Sequence, residues 1–218
     1  MILFRARLVA LAIAAMAFTG AQSSAQNLLV DPSFEGTITY DGPPFIGFWE
    51  GFSSSPGVTS GAGFGAGAAR TGSQQTTLFI DNSSNQFAGV FQDVLVSSGS
   101  SVTFAIWHQD VLGSNGQGIE MRMEYRNSVS NVEISRTLNA TPVSLGAAYQ
   151  KFSITGVMPP AADTVRVVYA IQSFGGVKSQ RIYLDDASLT TLVPEPASLC
   201  LLGMGLGGLV VGARRRRS

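Results

Sequence analysis

Histidine and cysteine are almost missing from this sequence, with one of each in 218 residues. The two scarcities exclude much of the usual enzyme chemistry. A Ser-His-Asp or Cys-His arrangement needs an imidazole poised between nucleophile and carboxylate, and His108 is the sole imidazole. No Gly-x-Ser-x-Gly elbow occurs, so no catalytic residue is assigned, and His108 reads as a hydrogen-bonded rim residue at a strand end. Zinc usually wants several His or Cys ligands and is excluded on the same count. Cys200 lies in an apolar C-terminal run, where it reads as a small apolar residue rather than a lipidation site; the chain before it therefore has no disulfide and relies on packing.

Excess charge is also lacking, since the formal net charge is zero. That balance conceals an asymmetry, because Arg5, Arg7 and the four arginines Arg214, Arg215, Arg216 and Arg217 lie at the two ends. Residues 26–193 hold eight basic side chains against thirteen acidic ones. A mildly acidic domain has no electrostatic drive toward a phosphate backbone, so nucleic acid is excluded as a partner. Helical periodicity and internal repeats are absent as well.

The ends carry signals. Residues 1–25 combine Arg5 and Arg7, an apolar run and a small-residue stretch ending Ser23-Ser24-Ala25, the pattern of a secretory signal peptide handled by Sec-type export machinery. At the other end Pro194, Glu195 and Pro196 precede an apolar span over 197–213 and then Arg214 to Arg217. Residues 197–212 would make roughly 24 Å of helix, slightly short of the bilayer's hydrocarbon core, and the arginines would stop its transfer through the inner membrane. The order of tripeptide, Gly-rich span and arginine cluster resembles the PEP-CTERM sorting signal of Gram-negative bacteria. That resemblance implies recognition by an exosortase, an inner-membrane intermediate, and delivery to the cell surface or an exopolysaccharide matrix of the biofilm kind. The expected division is a signal peptide (1–25), one domain (26–193) and a sorting segment (194–218).

Within the domain, short runs rich in Val, Ile, Phe, Tyr and Thr alternate with Ser, Asn and Gly. Strands are expected over 77–81, 89–96, 101–109, 118–126, 132–138, 149–157, 164–171 and 181–189. In 118–126 the period of two is plain: Ile119, Met121, Met123 and Tyr125 share one face, and Glu120, Arg122, Glu124 and Arg126 the other. Eight such strands predict an all-β, two-sheet antiparallel sandwich. Residues 53–73, rich in Gly, Ser and Ala, read as a long loop; their glycines Gly61, Gly63, Gly65 and Gly67 fail as a phosphate loop because no helix follows.

The segments 27–36 and 182–190, with Gly47-Phe48-Trp49 and Arg70-Thr71-Gly72-Ser73, are similar to the galactose-binding-like jelly rolls, a group that includes many carbohydrate-binding modules. The resemblance implies an N-terminal acidic segment beside the last strand. It thereby implies a structural calcium ion held by Asp31, Ser33 and Glu35 with Asp185 or Asp186; the adjacent pair points to opposite sheet faces, so only one can face the site.

A sugar site needs aromatic platforms flanked by polar groups. The candidates are Tyr40, Trp49 and Trp107 with Gln109, Arg122 and Glu124, while Phe104 and Tyr125 read as core. Glu120 and Glu124 alternate with arginines, the pattern of an ion-paired solvated face rather than a glycosidase carboxylate pair. The sequence therefore points to a non-catalytic exported protein that binds polysaccharide. A structural or adhesive matrix protein without a sugar site is the alternative, and an exported glycoside hydrolase has least support.

Overall fold

Alternation at period two marks several of the long strands among the described residues. A computed structural model describes residues 26–43, 45–55, 60–66, 69–81, 85–111, 118–142, 148–173 and 179–192. Its strands are β1 (Ile38–Thr39), β2 (Trp49–Ser53), β3 (Ser60–Ala66), β4 (Gln74–Ile80), β5 (Phe87–Leu95), β6 (Ser101–Asp110), β7 (Ile119–Asn127), β8 (Val132–Arg136), β9 (Gln150–Val157), β10 (Thr164–Gln172) and β11 (Gln180–Leu192). In β7 the side chains of Ile119, Met121, Met123 and Tyr125 are buried; in β10 those of Val165, Val167, Tyr169 and Ile171 are. No helix occurs among the described residues.

The strands form two sheets, a six-stranded one ordered β1-β2-β5-β10-β7-β8 and a five-stranded one ordered β3-β4-β11-β6-β9. All pairings are antiparallel except β1 with β2. The inward faces meet in one apolar cluster that includes Phe34, Trp49, Leu78, Phe104, Ile106, Met121, Tyr169 and Leu184. The chain is a β-sandwich with one core, and each sheet keeps an outer face. The N-terminal segment lies along the last strand, as expected. Leu28 N donates to Leu189 O at 2.8 Å, and Ala187 N to Pro32 O at 2.7 Å.

Three expectations change. Residues 60–66 are not loop but strand β3, paired along its length with β4. His108 is no rim residue: β6 continues to Asp110, so His108 falls on the same inward parity as Phe104 and Ile106 and is fully buried. The register of β11 on β6 slips between Asp185 and Ser188, and Asp186 has φ 44°, so this stretch does not alternate regularly. The signal peptide and the sorting tail lie outside the described residues.

The outer face of the six-stranded sheet is an ion-pair ladder. Arg122 bonds Glu124 at 2.8 Å and also pairs with Glu120. Arg126 bonds Glu124 at 2.8 Å, and Arg136 bonds Glu133 at 2.6 Å. Arg166 bonds Asp93 at 2.6 Å, with its guanidinium 4.1 Å from the Phe91 ring centre.

Candidate functional site

The five-stranded sheet has a different outer face, and its character begins with the glycines of β3. Gly61, Gly63 and Gly65 alternate with Ser60 and Ala62, whose partners Ile80 and Leu78 are core residues; the glycines therefore face outward. They leave that end of the sheet without side chains. A Cβ on Gly65 would lie 2.2 Å from Gln75 Nε2 and 2.8 Å from Thr77 Oγ1, whereas one on Gly63 would meet nothing within 4 Å. The space above Gly63 is a cavity of about 280 Å³ lined by Gly63, Gly65, Thr77, Phe79, Arg181 and Tyr183.

Register shows which residues share the outer face with this cavity. Gly63 lies opposite Thr77, Thr77 opposite Tyr183, and Tyr183 opposite Gln109. One row further on, Asp185 lies opposite Trp107 and Trp107 opposite Lys151. Trp107 is half-buried, and the Arg70 guanidinium covers its ring at 3.7 Å. Tyr149 joins this face: burial first, then the charge of Asp185, pushes its phenol well above the ordinary tyrosine range. Phe79, Tyr183, Trp107 and Tyr149 thus bring four aromatic rings to one surface, interspersed with Thr77, Gln109 and Arg181. Sugar rings carry an apolar C–H face ringed by hydroxyls, and such a surface offers both of the contacts they need.

The sequence candidates divide on this geometry. Trp107 and Gln109 are on the groove face. Trp49 is instead core, 2% exposed, with its ring centre 4.6 Å from that of Phe34 and its indole N–H donated to Asp31 O. Tyr40 is exposed, but its hydroxyl donates to Ala62 O and accepts from Ala62 N at 2.9 and 2.7 Å, occupying main-chain groups of edge strand β3. Arg122 and Glu124 belong to the ladder on the other sheet. Phe79, Arg181 and Tyr183 were missed, although the alternation of Arg181 and Tyr183 with Ile182 and Leu184 marks them as one outward face.

The acidic cluster expected to hold calcium is brought together, with protein donors filling it. Asp31 accepts from Glu35 N and Gly36 N at 2.9 and 2.8 Å, and Ser33 lies in the turn between them. Glu35 accepts from Ser73 N, Ser73 Oγ and Gln74 N, and these bonds hold its carboxyl below the ordinary range. Gly72 is needed there, since a Cβ would come within 2.1 Å of Glu35 Oε1.

Asp185 is fully buried and accepts from Arg70 N, Thr71 N and Asp186 N; burial raises its carboxyl. Asp186 pairs with the Arg70 guanidinium and accepts from Thr71 Oγ1. The irregularity in β11 thus turns both carboxylates to the same loop, correcting the expectation that only one would face it. No three His, Cys, Asp or Glu side chains form a metal-binding group among the described residues. Calcium does not fit this donor set as it stands, because N–H and hydroxyl donors, and for Asp186 the Arg70 guanidinium, already occupy these carboxylate oxygens.

The acid–base side chains that the sequence offered lie away from the groove. His108 Nδ1 hydrogen-bonds Tyr169 Oη at 2.5 Å inside the core, and Glu120 and Glu124 share Arg122 on the opposite sheet.

Residues 192–217 match the PEP-CTERM protein-sorting motif, which indicates export and exosortase-dependent sorting at the membrane to the cell surface. No curated protein sequence matches the chain. Solved structures similar in fold include the CBM22-1 xylan-binding domain from Paenibacillus barcinonensis Xyn10C, at 15% identity and TM-score 0.51, covering 80% of this chain and 99% of that one. The CBM22-1-GH10 modules of Clostridium thermocellum xylanase 10B give 16% identity and TM-score 0.52, covering 78% of this chain and 29% of that one. The enzymatically active domain of tailspike protein 4 of bacteriophage CBA120 gives 11% identity and TM-score 0.54. Here 76% of this chain is covered but only 21% of the tailspike chain. At these identities the likeness is one of fold alone, that of a two-sheet β-sandwich shared with these carbohydrate-binding modules.

Proposed function

We propose that this domain is the non-catalytic binding module of an exosortase-sorted surface protein, and that it holds polysaccharide along the outer face of the five-stranded sheet. The groove over Gly63 carries the reading: an open floor made by alternating glycines, beside Phe79 and Tyr183 and in register with Thr77 and Gln109. An extended chain of sugars would lie in the groove over β3, β4 and β11 and continue along the same face toward Trp107 and Gln109. Sorting to the cell surface or its exopolysaccharide matrix would place the module among such polymers.

The test uses the space above Gly63. Gly63→Phe adds a ring where a Cβ meets nothing, so it should fill the groove and leave folding intact. On a panel of soluble glycans, the wild-type chain is expected to bind at least one. The variant should lose that binding at least about tenfold, the scale of one displaced aromatic stacking contact, with an unchanged melting midpoint. Wild-type chain that binds nothing on the panel points instead to a structural or adhesive protein. Binding that survives Gly63→Phe moves the site elsewhere.

A further inference from the structure

The described lysine and arginine side chains differ in one respect, which is whether a carboxylate answers them. Arg122, Arg126, Arg136 and Arg166 are all ion-paired on the six-stranded sheet, and Arg70 is paired with Asp186. Among the described residues Arg181 and Lys151 meet no ion-pair partner, and both are exposed. They belong to the same surface. Arg181 lines the groove, and Lys151 lies opposite Trp107 on edge strand β9, two strands from β11.

The carboxylates of this face are spent. Asp185 is buried beneath three N–H donors, Asp186 is paired, and Asp81, at the end of β4, has an interaction of its own. Among the described residues, the two cations without an ion pair thus lie on the aromatic groove face of a domain that holds thirteen acidic and eight basic residues over 26–193. A cation at a binding surface contributes most when the ligand brings the opposite charge, and a neutral sugar leaves that contribution unused.

We infer that the ligand of this groove is an anionic polysaccharide, one whose sugars bear carboxylate or sulfate groups. Arg181 would contact its acidic groups within the groove, and Lys151 further along the chain. The inference rests on the groove being a sugar site, and the test separates the two ideas.

The full chain is immobilised and titrated with two matched pairs, polygalacturonate against its methyl ester and dextran sulfate against dextran. One anionic member should bind at least about tenfold tighter than its neutral partner, and which pair responds distinguishes carboxylate from sulfate. The Arg181→Gln, Lys151→Gln double variant should lose about tenfold for the anionic member and narrow its preference over the neutral partner, as two partly exposed charge contacts allow. The preference should also shrink between about 0.05 and 0.5 M salt, where the Debye length falls to a few ångströms. Gly63→Phe should abolish binding of the anionic member, and its persistence would mean that a polyanion merely adheres outside the groove, overturning the proposal. Equal binding within both pairs, removed by Gly63→Phe, overturns the anionic ligand and leaves the sugar groove standing. Silence from all four polymers rejects the anionic ligand, and silence from a wider neutral panel rejects the groove as well.

Discussion

Asp185→Ala is expected to lower the thermal unfolding midpoint by roughly 10 °C, the largest effect of any single surface-loop contact in this domain. The carboxylate is fully buried and accepts main-chain N–H groups of Arg70, Thr71 and Asp186 at 2.7, 3.1 and 2.7 Å. Alanine strands those donors, and a buried donor left without a partner costs about 1–3 kcal/mol, part of it recovered where water enters. A net loss of about 3 kcal/mol is the consequence, since the loop 70–73 also ties down Glu35. Asp185→Asn, which keeps an acceptor oxygen, should lose much less. Arg70→Ala should cost about 1 kcal/mol, because its pair with Asp186 is partly exposed and its contact with Trp107 is of similar size. Since protein donors already satisfy these carboxylates, excess calcium and chelator should give the same wild-type midpoint. A calcium-dependent rise, lost in Asp185→Ala, would show that the ion displaces Arg70 and would restore the metal site implied by the family resemblance.

Acid is expected to unfold the domain through His108. Burial among apolar groups lowers its imidazole to about 4, and the charge of Asp110 only partly opposes this. Among the described residues the groups facing it are the Tyr169 hydroxyl, which shares Nδ1, and the Phe152 ring, and Nε2 meets no hydrogen-bond partner. An unfolded histidine titrates near 6.5, so the folded state prefers the neutral ring. Its contribution is therefore complete above about pH 6.5 and is lost as pH falls toward about 4, where the unfolded chain binds a proton that the folded chain does not. By about pH 4.5 the loss is roughly 2 to 3 kcal/mol, several degrees of midpoint for a domain of this size. The carboxylates of Glu35, Glu133 and Asp163, all held below their ordinary values, add their own loss at lower pH. The comparison is therefore with His108→Gln, which retains hydrogen-bonding capacity without titrating. Wild type should fall more steeply than the variant between about pH 7 and 4.5; parallel curves would mean that the imidazole is no more buried than a surface histidine.

The strands legible in sequence were those whose side chains report their two faces. From β4 to β11 the alternation of β-branched and aromatic residues located every strand to within a few residues. Strands β1 to β3 escaped for separate reasons. β1 is two residues long, and β2 is a short stretch interrupted by Gly51. β3 has glycines on its outward parity and so reports only one face; its strand character comes from pairing with β4 and from Tyr40 bonding its free edge.

That omission concealed the groove, because the glycines dismissed as a loop are its floor. His108 was misplaced by ending β6 one residue early, although its parity with Phe104 and Ile106 already pointed inward. The Asp185–Asp186 pair went wrong for a different reason. Strict alternation separates the two carboxylates, and a bulge, which depends on the partner strand, is not written in the local pattern.

The central claim, that the outer face of the five-stranded sheet is the binding surface, is tested most directly by mapping where a glycan touches the protein. Amide chemical shifts of the isotopically labelled chain, titrated with the tightest-binding glycan of the panel, give that map residue by residue. The account predicts the largest changes at Gly63, Gly65, Thr77, Phe79, Arg181 and Tyr183, with smaller ones at Trp107 and Gln109. Changes confined to Glu120, Arg122, Glu124 and Arg126 on the other sheet would contradict it.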